Sequence, residues 1–130
     1  PGVSLIIAYS PCIAHGIDLQ HNLRQQDLAV KAGHWPLLRY DPRLRAEGRN
    51  PLQVDSAAPS IPFAECARNE ARFTVLERLH PDSAGHFMEL SGAAARLRHQ
   101  EYVELAGLPL PEAALAEAAR GADETETPHG

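Results

Sequence analysis

Residues 3–16 read Val3-Ser4-Leu5-Ile6-Ile7-Ala8-Tyr9-Ser10-Pro11-Cys12-Ile13-Ala14-His15-Gly16. Five of the first seven side chains, Val3, Leu5, Ile6, Ile7 and Ala8, are aliphatic, and no polar residue alternates with them beyond Ser4. A strand this apolar is normally buried on both faces of a parallel sheet. Pro11 and Gly16 close the run with a loop at the strand's C-terminal end, the position where α/β sheets bind ligands. Asp18 follows as a helix N-cap whose carboxylate takes first-turn amide hydrogens. A helix is expected over residues 19–32, with Leu19, Leu23, Leu28 and Val30 as its apolar members and Gly33 as its left-handed stop. The reading is α/β, with one core strand-loop-helix unit. The partner strands of that unit are not evident in the 130 residues, and the first residue is Pro1 rather than Met, so the chain is expected to be a piece of a larger protein.

Residues 34–62 change character. Pro36, Pro42, Pro51, Pro59 and Pro62 exclude a helix of useful length. Short strands are expected at residues 35–40 and 52–55, in a Pro-rich arm that either forms a small sheet or lies over other domains. Asp41-Pro42 and Asp55-Ser56 read as turn-formers. A C-terminal helical hairpin is expected next, from residues 63–80 and from 82 or 83 to 105, with Pro81 at the first helical position. Phe73, Leu76 and Leu79 supply the first apolar stripe; Phe87, Leu90, Ala94 and Leu97 supply the second. Residues 109–130 are expected to form a flexible tail with one short helix at 112–120.

The formal net charge is −5, and Lys31 is the sole lysine. A nucleic-acid ligand requires a basic face to neutralise phosphates, so none is expected, and Trp35, Arg39 and Tyr40 read as packing residues rather than a base-stacking platform. No apolar stretch approaches the ~20 residues of a membrane-spanning helix. A cytoplasmic setting is expected, and two cysteines in a chain of this length suit a reducing compartment better than a disulfide framework. Cys12 and His15 alone cannot make a zinc site, which wants four ligands in paired spacing. Without further context Cys12 reads as a small buried hydrophobe, and so does Cys66. No Gly-rich phosphate loop, nucleophile triad order or zinc-protease pattern occurs.

Three segments carry a resemblance: residues 4–17 (SLIIAYSPCIAHGI), 29–44 (AVKAGHWPLLRYDPRL) and 50–56 (NPLQVDS). In order and spacing they resemble the pyruvate:ferredoxin (flavodoxin) oxidoreductase family, and residues 35–44 are most similar to the flavodoxin-reducing enzymes that supply nitrogenase. The resemblance covers about residues 1–108. It implies the C-terminal portion of a thiamine diphosphate-binding domain from a homodimeric enzyme. That enzyme converts pyruvate and coenzyme A to acetyl-CoA and carbon dioxide with thiamine diphosphate and Mg2+, and passes electrons through [4Fe-4S] clusters to ferredoxin or flavodoxin. It also implies that Cys12 is a [4Fe-4S] ligand, the other cysteines and the diphosphate-binding Gly-Asp-Gly segment lying upstream of Pro1. His15 would shape that loop, and Cys66 has no counterpart. The isolated fragment is not expected to be active. A reading from a different class is a noncatalytic interaction domain whose apolar strand docks on a partner's sheet.

Overall fold

A computed structural model describes residues 3–112 and 115–116. The expectation for the apolar run is not met. Residues 3–10 form neither strand nor helix, and the side chains of residues 3–8 stand in solvent, with Ile6 88% and Leu5 83% exposed. The reason is the one that made the run conspicuous. A strand needs partners for its backbone and cover for both faces, and within the described residues neither is supplied.

From Tyr9 onward the chain packs. Asp18 caps as expected, its carboxylate accepting from Gln20 N at 3.0 Å. The helix opens with one tight turn, Leu19–His21, and continues as α1, Asn22–Lys31. Gly33 follows at φ +70°, the left-handed stop the sequence calls for. Leu28 and Ala29 are buried, whereas Leu19 and Leu23 are exposed, so only the second half of the expected stripe meets the core.

The Pro-rich arm forms a two-stranded antiparallel sheet from β1, Leu38–Tyr40, and β2, Leu52–Val54, with Arg39 opposite Gln53. Asp41 turns the chain between them by accepting from Arg43 N at 3.0 Å, and a tight helical segment, Pro42–Glu47, follows. The arm lies on the chain's own helices. Asn50 Nδ2 donates to Leu105 O and Leu108 O at 2.8 and 3.0 Å, at the C-terminal end of the last helix. Arg98 Nη2 donates to Gly33 O and His34 O, and His99 Nε2 lies 3.1 Å from Ser56 O.

The expected helix over 63–80 is broken into α2, Phe63–Ala67, and α3, Ala71–Leu79. At the break Glu70 is extended and Asn69 Nδ2 donates to Glu65 O, a local bond that competes with continuing the helix. The last helix, α4, is Pro81–Gly107, with Pro81 in its first turn as expected. The hairpin is present, for α2 and α3 both pack on α4. Its buried face is not the expected one. Ala84, Met88, Gly92, Ala95 and His99 are buried, while Phe87, Leu90 and Leu97 are each about half exposed. On that face Gly92 meets α2, where an added Cβ would stand in ordinary contact, 3.4 Å from Phe63 Cβ. The core has two parts. Leu28, Ala29, Ala32 and Cys66 form one with Tyr9, Trp35 and Ile61; Phe63, Ala67 and Met88 form the other with Phe73. Most of the expected tail helix lies outside the described residues.

Candidate functional site: the Cys12 loop

Cys12 is exposed and extended at φ −121°, and a single helical turn, Ile13–His15, follows it. His15 N donates to Cys12 O and Gly16 N to Ile13 O, both at 2.9 Å, so the loop holds its own shape. It is pinned on both flanks. Before the cysteine, Pro11 is buried and Tyr9 is half-buried, its ring stacked on Trp35 at 5.5 Å between centroids and edge-on to His34 at 5.7 Å. After it, Gly16 takes φ +72° hard against α3, where an added Cβ would lie 2.3 Å from Ala71 Cβ, and Ile17 is buried. The result is a firmly held turn whose thiol faces outward. His15 is likewise exposed within that turn.

Under the loop lies a polar cluster that sequence reasoning did not find. Glu70 is 2% exposed. Its Oε1 accepts from Tyr9 Oη at 3.3 Å and from Gln25 Nε2 at 3.1 Å. Its Oε2 lies 2.6 Å from Arg72 Nε, close enough for an ion pair but without an aligned hydrogen bond. Gln25, also buried, donates to Cys66 O and Sγ, and accepts from Asn69 Nδ2 at 3.2 Å. Burial, with the nearby Glu70 carboxylate, pushes the Cys66 thiol up to about 11 and raises the Tyr9 phenol. Burial lowers His34. These residues come from four separated segments, and no local pattern marks them.

Cys66 is thus a packed, protonated thiol, and Cys12 is the accessible one. Among the described residues no three His, Cys, Asp or Glu side chains are arranged to hold a metal ion. The described residues therefore offer one accessible thiol, Cys12, and no complete metal cage. A shallow cleft of about 210 Å3 near α1 includes Asp18 and His21, which already pair with each other at 2.9 Å. No described helix is long and apolar enough to cross a membrane.

No family model matches the chain. Several curated proteins do. It is 42% identical over 105 residues to the pyruvate:ferredoxin oxidoreductase of Moorella thermoacetica, and 45% identical over 105 residues to the pyruvate-flavodoxin oxidoreductase of Trichormus variabilis. It is 40% identical over 107 residues to the probable pyruvate-flavodoxin oxidoreductase of Escherichia coli. These matches take in 81 to 82% of this chain and 9% of each relative. The resemblance to the pyruvate:ferredoxin (flavodoxin) oxidoreductases is therefore borne out, and the chain spans about a tenth of the length of the relatives it matches.

Proposed function

We propose that this chain is a segment of a pyruvate:ferredoxin or pyruvate:flavodoxin oxidoreductase, and that its part in the enzyme is to present Cys12 as one thiolate ligand of a [4Fe-4S] cluster. The similarity to those enzymes over four fifths of the chain carries the family reading. The exposed, doubly pinned Cys12 loop supports the role of that residue. Residues 1–108 would be the C-terminal portion of the thiamine diphosphate-binding domain of a cytoplasmic homodimer. Pyruvate, coenzyme A, thiamine diphosphate and Mg2+ would be held mainly by other parts of the protein, whose products are acetyl-CoA and carbon dioxide and whose electron acceptor is ferredoxin or flavodoxin.

A cluster of this type needs four thiolates in fixed geometry and, when bound, relays single electrons. The contribution of this chain is rigidity. A sulfur on a mobile loop would hold its iron in many geometries, whereas the attachments at Tyr9, Pro11, Gly16 and Ile17 hold the chain on both sides of Cys12. Cys66 is unsuited to the role, because its thiol is buried, protonated and already an acceptor for Gln25.

The exposed run at residues 3–8 also suits the interaction-domain reading, since either a parent sheet or a partner's sheet could cover it. The separating experiment is Cys12→Ala beside Cys66→Ala in the full-length protein. Cys12→Ala is expected to lose or alter one cluster signal in low-temperature EPR, lower the iron content and slow acceptor reduction, while Cys66→Ala stays close to the parent. Unchanged iron, EPR and electron transfer in Cys12→Ala would mean that Cys12 is only a surface thiol.

A further inference from the structure

We infer that Glu70 is a positioning residue for the Cys12 loop, acting through the Tyr9 hydroxyl. The inference rests on the proposed role of Cys12 and deepens it.

Residues 3–8 have no regular structure and their side chains are exposed. Tyr9 is therefore the first point at which the loop is attached, three residues ahead of the cysteine. Ring stacking on Trp35 leaves the phenol free to slide in the ring plane, and the bond from Tyr9 Oη to Glu70 Oε1 removes that freedom. Glu70 in turn is fixed by Gln25 on α1 and Arg72 on α3, so one carboxylate refers the loop to two helices.

Placing this carboxylate is costly. A charge that is 2% exposed must be offset by good partners, yet Oε2 has only the unaligned Arg72 guanidinium, itself partly exposed. Attachment of α1 to α2 does not require it, because Gln25 already donates to the Cys66 carbonyl and sulfur. What Glu70 adds is the link to Tyr9. Charge, hydrogen bonding and solvent exposure around a metal-bound sulfur set the potential of its cluster, so a loop released at Tyr9 changes the cluster without removing a ligand.

The test uses the full-length protein with Tyr9→Phe, which keeps the ring stack and deletes the hydroxyl, and Glu70→Gln, which keeps the shape and deletes the charge. In both, iron content is expected to stay at the parent level, while the cluster signal that depends on Cys12 shifts in midpoint potential or broadens in EPR. The other cluster signals are expected to stay unchanged. Hydrogen exchange in the cluster-free protein is expected to speed up at the His15 and Gly16 amides. Exposed Glu89→Gln on α4 should do none of this. If Cys12→Ala removes one signal but Tyr9→Phe leaves that signal and both amides unchanged, the positioning role is wrong and the ligand assignment stands. If Cys12→Ala removes no signal, the ligand assignment fails and the inference falls with it. Tyr9→Phe decides the matter alone should Glu70→Gln not fold.

Discussion

Two cysteines 54 positions apart differ in chemistry because of what surrounds each sulfur, and the difference can be measured without any cofactor. Thiolates react and thiols do not. Cys66, raised to about 11 by burial and by Glu70, stays protonated at neutral pH, whereas Cys12 is exposed. Brief iodoacetamide treatment of the cluster-free chain at pH 7.5, followed by peptide mass spectrometry, is expected to label Cys12 and spare Cys66 until the chain is unfolded; equal labelling would contradict the described burial. His34 supplies a second residue-scale consequence. It lies between the Tyr9 and Phe63 rings, faced by Glu70, Arg72 and Arg98, and burial holds its folded-state value below the ordinary 6.5. The unfolded chain therefore binds the proton first, so stability is complete above pH 6.5 and falls as pH drops below it. Urea unfolding at concentrations low enough to keep the chain monomeric is expected to show this decline, and His34→Gln is expected to flatten it. An unchanged slope in that variant would place the acid sensitivity elsewhere. The Cys12 loop was legible because Pro11 and Gly16 punctuate it. Glu70, Gln25 and Tyr9 were not, because they meet across 45 to 61 positions of sequence and local periodicity carries no long-range pairing.

Elements were readable where a single residue type dictates the backbone. Asp18, Gly33, the prolines of the arm and Pro81 each do so, and the helix starts, the stop and the paired strands follow from them. The faces were less readable. On α4 the bulkiest apolar residues suggest the stripe, but Ala84, Met88, Gly92 and Ala95 are the ones buried, with Gly92 against Phe63 of α2. Gly16 tests the same close-approach logic at the loop. Its φ of +72° disfavours any Cβ, and that Cβ would overlap Ala71. Gly16→Ala is expected to destabilise by about 1–3 kcal/mol. Adding Ala71→Gly should return the steric part and leave the backbone part. A double-mutant cycle from urea unfolding measures this coupling, and additivity of the two changes would show that the approach is looser than described.

At the scale of the whole molecule, the residues that first suggested a parallel sheet are those that the described fold leaves uncovered. Val3, Leu5, Ile6 and Ile7 are each more than 70% exposed, next to a helical body whose own core is complete without them. An uncovered apolar segment with unpaired backbone groups invites intermolecular strand pairing. Its length of six residues, 3–8, without charge or proline, suits such pairing. The isolated chain is therefore expected to self-associate, and to do so through this segment rather than through α4. On α4, Phe87, Leu90 and Leu97 are only about half exposed and share their helix with charged neighbours such as Glu89 and Arg96. Ile6→Lys places a charge in the middle of the run and touches no packed residue, so it should shift sedimentation toward monomer at a given concentration without altering the far-UV circular dichroism. Leu90→Lys should leave association nearly as in the parent chain. If the parent sediments as a monomer throughout the micromolar range, or if Leu90→Lys dissociates it while Ile6→Lys does not, the apolar run is not the sticky edge. In the second case the exposed face of α4 carries the association instead.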